Sequence, residues 1–313
     1  MKKRFLLFIT SAILVGVLSG CESRDDRDFD AYTFTDALGR EVAVRSYDRT
    51  AVLLGSFAEI WMNAGGNVCA ASDDAWADFE LSLPEDCANL GGTHSPNLET
   101  LLSASPDFVL ASASQSSNVK MKDVLENAGI TVAYFDVDSF EDYLDMLRVC
   151  TDITGRHDLF EENGVAVKDE IAKIKREHFA LKIPENEKCM LLLRASSGAI
   201  KAKGSEGTVL GEMLSELGYI NIADSDKTLL ESLSIEAIMK NEPYRIFVVT
   251  MGNDTNKAVA NVTKMIDENP AWKSLAAVKE GRLHFMERRL FNIKPNARWA
   301  KAYEELCEVL CGK

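Results

Sequence analysis

Few side-chain groupings in this chain are equipped for catalysis. The four histidines, His94, His157, His178 and His284, stand far apart in sequence. There is no HExxH pair, no GxSxG turn, no P-loop and no GxGxxG segment, so zinc hydrolysis, acyl transfer and nucleotide or dinucleotide chemistry lose their usual anchors. Six cysteines follow Cys21: Cys69, Cys87, Cys150, Cys189, Cys307 and Cys311. None is spaced as a repeated close pair, so a structural metal cluster is not expected. Cys69 with Cys87 is the first disulfide to test outside the cytoplasm, and Cys307 and Cys311, one helical turn apart, read equally well as two buried thiols.

What does repeat is a pair of glutamates. Glu99 follows Asn97 in Asn97-Leu98-Glu99-Thr100-Leu101-Leu102, and Glu236 follows Ser234 in Ser234-Ile235-Glu236-Ala237-Ile238-Met239. Each stands seven residues before a proline, Pro106 or Pro243, and an apolar run follows each proline. The spacing predicts, twice, a capped short helix leading through a turn into a buried strand. One copy lies in each half of the chain, which implies two similar α/β lobes, each presenting one carboxylate at a helix start.

The elements that must position these groups are legible in order. Lys2-Lys3-Arg4 precede a short apolar run that ends in Leu18-Ser19-Gly20-Cys21, the pattern of a cleaved lipoprotein signal over residues 1–20, with Cys21 lipidated. Residues 21–31 are polar and read as a flexible tether. Losing the first 20 residues, which hold three bases and no acid, takes the formal charge of −14 to −17. So acidic a chain is not built for nucleic acid. Strands alternate with helices over 32–155, a long helical stretch spans 156–184, and the alternation resumes over 185–313. The expected fold is α/β, two Rossmann-like lobes with mainly parallel sheets joined by a single long rigid helix. Two lobes facing a cleft suit capture of a ligand better than turnover, and no catalytic residue is assigned.

Several segments together carry a resemblance: the lipoprotein start, Asp36-Ala37-Leu38-Gly39-Arg40, Gly92-Thr93-His94-Ser95-Pro96-Asn97-Leu98-Glu99, Gly218-Tyr219-Ile220-Asn221-Ile222-Ala223, Asn269-Pro270-Ala271-Trp272 and Lys294-Pro295-Asn296. In this order the chain resembles the substrate-binding lipoproteins of ABC importers for iron complexes and vitamin B12. The resemblance implies two lobes joined by a stiff helix. It also implies a monomer tethered outside the cytoplasmic membrane, a permease dimer with its ATPase as partner, and docking of Glu99 and Glu236 into basic pockets on the two permease subunits. No cofactor or resident metal is implied; the ligand is a metal chelate.

In such a fold the cleft is lined by the loops after the strands. In the first lobe these offer Ser56, Phe57, Trp76, Thr93, His94 and Gln115, and in the second Arg194, Ser196, Lys201, Met251, Asn253, Arg288 and Arg289. Cations gathered on an acidic protein point to an anionic ligand such as a ferric siderophore or the propionates of haem. Two bland readings stay open: Lys201 and Lys203 as a solvated edge, and Arg288-Arg289 paired with nearby acids. His94 is open to iron ligation, to a hydrogen bond with a chelate, or to capping the helix that carries Glu99. Cobalamin is the alternative cargo, with Phe57, Trp76 and Phe291 as the aromatic surface for its ring.

Overall fold

The computed structural model describes residues 31–252 and 254–312. The signal segment 1–20, Cys21, the tether up to residue 30, and Asn253 lie outside the described residues. The chain opens on a hairpin of β1 (Tyr32–Thr35) and β2 (Glu41–Val44), antiparallel with Tyr32 facing Val44. Asp36 makes its turn, accepting from the backbone N–H of Leu38 and Arg40 and from the Arg40 guanidinium. Gly39 supplies the left-handed φ of 74° that the turn needs.

Five strands build the first sheet: β3 (Thr50–Val52), β4 (Val68–Ala71), β5 (Ala88–Asn89), β6 (Phe108–Ser112) and β7 (Thr131–Phe135). Their order is β5-β4-β3-β6-β7, and every pairing is parallel. The second sheet holds β8 (Cys189–Ala195), β9 (Ile200–Lys203), β10 (Ile220–Asn221), β11 (Arg245–Thr250) and β12 (Leu283–Met286). It runs β10-β8-β11-β12 in parallel, with β9 antiparallel along the rest of the β8 edge. Continuous apolar runs such as Phe108-Val109-Leu110-Ala111 form strands buried on both faces, as helix-covered parallel sheets require. In both sheets the chain order reverses beside a central strand, between β3 and β6 and between β8 and β11. Ligand crevices open outside the carboxyl ends of strands at such points.

The lobes are not independent bodies. Val52, Leu110 and Phe135 from one face of the first sheet and Met190, Leu192 and Phe247 from one face of the second belong to a single apolar cluster. Val167 and Ile171 of the connecting helix and Trp299, Tyr303 and Leu306 of the closing helix Trp299–Leu310 complete it. The opposite sheet faces form separate smaller cores.

The connection begins with the helix Phe140–Thr154, opened by a Ser139/Asp142 capping box and stopped by Gly155 at φ 70°. From 157 to 180 the chain is helical without a break, roughly 35 Å at 1.5 Å per residue. This helix is not uniform, because Glu161–Val165 forms a π-helical turn. Within that turn the Asn163 carbonyl accepts the Tyr143 O–H at 2.8 Å, and the Asn163 amide donates to the Asn63 carbonyl at 3.1 Å. The π-turn thus ties the connection to the first lobe.

Cys69 and Cys87, the first pair to test, are not bonded to each other. All six described cysteines are free thiols. Ala70 and Ala88 are register partners, yet Cys69 packs against the core on one face of the first sheet and Cys87 against the core on the other. Two sulfurs on opposite faces of a sheet have no bonding geometry.

Gly55 opens the helix Gly55–Asn63 against the chain at Asp74 and Ala75, and its N–H donates to Asp74 Oδ2 at 2.9 Å. A Cβ there would lie 2.6 Å from the Ala75 nitrogen, a backbone atom. Gly55→Ala is therefore expected to cost about 1–3 kcal/mol by overpacking. The check is the urea midpoint, which should fall at unchanged slope.

Candidate functional site

The second-lobe side of the crevice is built on the β8–β9 hairpin. Antiparallel pairing sets Arg194 directly opposite Lys201 and Leu192 opposite Lys203. Directly opposed residues share a face, as do residues two apart on a strand, so Arg194, Lys201 and Lys203 stand on one face. None of the three has an ion-pair partner among the described residues. Burial depresses the Arg194 guanidinium, and only the Asp138 carboxylate of the first lobe acts against that. Burial, then the charges of Arg194 and Lys201, hold the Lys203 ammonium below its ordinary value. Like charges placed opposite one another destabilise a sheet.

The three cations line a cavity of about 820 Å³ with the loop 204–208, Glu212, Ser215, Asp224 and Leu230. Two of its acids already have partners. Asp224 accepts the Ser205 N–H at 2.7 Å and Glu212 accepts the Gly207 N–H at 3.1 Å, so both fix the shape of the loop. Glu206 lines the cavity as a third carboxylate, so three acids share it with three cations that form no ion pair, and no aromatic side chain lines this cavity.

On the first lobe, His94 and Gln115 come together from two loops, with His94 Nδ1 3.0 Å from Gln115 Oε1. The Thr93 carbonyl accepts the Ser117 O–H in the same region. Trp76 is half-buried and leans on the shared core. Met251, after β11, is 42% exposed. Ser196 closes the β8–β9 turn, its Oγ accepting the Ala199 N–H at 3.1 Å.

Two expected contacts, Phe57 and Ser56, are corrected. Phe57 is fully buried, edge-on to Phe135 in the core, because the helix starts immediately after β3 and turns its first ring inward. Ser56 is buried too, and its carbonyl accepts the Asn296 amide at 2.9 Å. Arg288 meets the Asp78 carboxylate with both terminal nitrogens, one at 2.8 Å. Arg289 pairs with Glu59 at 2.7 Å. Both arginines thus pair with nearby acids, and both also line a cavity of about 410 Å³ with Ala77, Asp78 and Phe79 of the first lobe. Phe291, held in reserve for a corrin ring, is likewise buried in the core.

The residue that sequence reasoning passed over is Glu59. It lies on the apolar helix Gly55–Asn63 and is only 8% exposed. Its carboxylate accepts from Arg289 Nη2 at 2.7 Å, Arg298 Nη2 at 2.7 Å and Asn296 Nδ2 at 2.6 Å. The signal was available, since a lone acid inside an apolar helix needs a partner elsewhere.

The two repeated helices are Leu98–Ser103 and Ile235–Asn241. Asn97 caps the first by accepting from Thr100 N–H, and Ser234 the second by accepting from Ala237 N–H. Glu99 and Glu236 are both exposed. Backbone N–H at the helix start, then the Ser234 hydroxyl, hold the Glu236 carboxyl below its ordinary range. No helix among the described residues is long and apolar enough to cross a membrane, and no three His, Cys, Asp or Glu side chains there gather to hold a metal ion.

A putative ABC transporter substrate-binding lipoprotein of Bacillus subtilis (strain 168) is 20% identical over 96% of this chain and 95% of its own length. The Fe(3+)-citrate-binding protein of the same organism is 25% identical over 90% of each. The fold matches that of a siderophore-binding protein solved with two acinetobactin molecules and ferric iron. Their TM-score is 0.70 at 17% identity, over 90% of this chain and 98% of the other. Residues 51–290 match the periplasmic binding protein family, and the chain belongs to that family of binding proteins.

Proposed function

We propose that the chain is the extracytoplasmic capture component of an ABC importer, and that it takes up an anionic iron chelate between its lobes. The observation that carries the reading is the gathering of Arg194, Lys201 and Lys203, none of them in an ion pair among the described residues, around the 820 Å³ cavity. Three cations on one face await a ligand with several negative charges. The iron would arrive inside its chelate, since the described residues gather no set of donors for a bare ion. A relative that binds ferric citrate and a neighbour that binds a ferric siderophore support that cargo. No aromatic side chain lines the second-lobe cavity, which favours an oxygen-rich chelate there over the flat faces of haem or cobalamin. His94 and Gln115 would supply polar contacts from the other wall. Leu18-Ser19-Gly20-Cys21 and the lipoprotein description of a relative support an anchor at Cys21. Exposed Glu99 and Glu236, one per lobe, would meet basic pockets of a two-fold permease. The chain would serve as a monomer, and its transport work would come from the partner ATPase.

Four outcomes are expected. Titrating the chain without its first 21 residues against ferric citrate, a ferric catecholate, a ferric hydroxamate, haem and cyanocobalamin should raise the melting temperature with an anionic ferric chelate. Ligand at a hundred times its dissociation constant adds about 2.7 kcal/mol. Arg194→Ala should weaken that binding at least tenfold, about 1.4 kcal/mol. A shift with cyanocobalamin alone would sink the anionic-chelate reading. In the absence of ligand, Lys201→Gln should stabilise the protein by about 0.5 kcal/mol at low salt by relieving cross-strand repulsion. That gain should shrink as salt screens the charges, as followed by thermal melts. Glu99→Arg with Glu236→Arg should abolish uptake of labelled chelate in cells while leaving chelate binding to the purified protein unchanged.

A further inference from the structure

After β12 the chain does not stay with the second lobe. Leu290 and Phe291 enter the shared core, and the polar side chains of 288–298 end on the first lobe. Arg288 holds Asp78, Lys294 reaches Asp138 at 3.6 Å, and Arg289, Asn296 and Arg298 converge on Glu59. Asn296 also donates to the Ser56 carbonyl, and Arg289 to the Lys294 carbonyl at 2.7 Å. Asn296 is fully buried at φ 56°, a left-handed conformation that a non-glycine residue keeps only where its surroundings dictate it. Ser56, Asp78 and Asp138 lie in the segments that follow β3, β4 and β7, at the first wall of the crevice. Arg194 and Lys201 stand on the second wall.

We infer that Glu59 is the positioning residue of the cleft. It locks the strap 288–298 to the first lobe, so that the strap moves with that lobe and limits how far the two walls separate before ligand arrives. Relative motion of the walls is thereby confined to the junctions of the strap with β12 and with the closing helix, and to the connecting helix. The inference takes the crevice of the proposed function as the binding site, but the device itself is testable with no ligand.

The experiment compares hydrogen exchange and small-angle scattering of the chain without its first 21 residues, as wild type, Glu59→Gln and Arg298→Gln. Glu59→Gln keeps an acceptor for Asn296 but loses the charge that holds both arginines. Arg298→Gln removes one donor from the exposed side and guards against a first variant that fails to fold. Expected is at least tenfold faster exchange confined to 288–298 and the segments around Ser56 and Asp78, with a larger radius of gyration, and a weaker effect in Arg298→Gln. Unchanged exchange in the strap overturns the inference. So does acceleration spread evenly over both sheets, which would make Glu59 a general stability residue. A ligand arm uses ferric citrate, for which Glu59→Gln should raise Kd about tenfold through faster release. If the wild type binds no chelate, the functional reading falls while the exchange and scattering results still decide the strap.

Discussion

A carboxylate buried between two halves of a chain must be held by donors, because the desolvation of an unpaired charge costs several kcal/mol. Glu59 satisfies that demand with two guanidinium groups and one amide, all from residues more than 200 positions later in the chain. Burial still pushes its carboxyl upward, with Arg298 and Asn296 pulling the other way. Removing one donor leaves the others facing a partly orphaned acid, so the set forms or fails together. The placement of the last segment, and of the loops it touches, hangs on this cluster.

Around it the apolar architecture works to the same end. One face of each sheet, the connecting helix and the closing helix enter one core, so displacement of a lobe would open apolar surface to water. At the far end of the second sheet, Arg245 of β11 donates to the Leu310 carbonyl at 2.8 Å and anchors the closing helix by its carbonyl end. In the second-lobe cavity Arg194, Lys201 and Lys203 gather with no ion-pair partner among the described residues. Glu212 and Asp224 also fix the loop through backbone N–H groups, and Glu206 lines the cavity beside them.

What the sequence disclosed was what local chemistry decides. Asn97 and Ser234 announce their helices because a cap bonds within three residues, and runs such as Phe108-Val109-Leu110-Ala111 announce strands because burial on both faces leaves no polar position. Arg194 and Lys201 were visible as cations near a turn, though their direct opposition needs the hairpin register. Arg288 and Arg289 looked like the same kind of residue. Their acids, Asp78 and Glu59, lie 210 and 230 residues away, and no spacing rule reaches that far. Phe57 misled for a different reason: a loop after a strand usually faces the crevice, but here the helix begins at Gly55 and leaves no loop.

The π-helical turn at Glu161–Val165 has a bearing on how the two halves are phased. A π-turn accommodates one residue more than an α-helix of the same rise, and each α-helical residue advances the face by about 100°. Gly164 sits where a side chain would press on Leu144 and Leu147, so the extra residue is seated against the first lobe. Everything from Ala166 onward inherits that offset, including Val167 and Ile171, which face the common core. A chain one residue shorter at this point would restore a regular helix and turn that apolar stripe away from its partners. The angular register between the lobes is thus written into a single supernumerary residue.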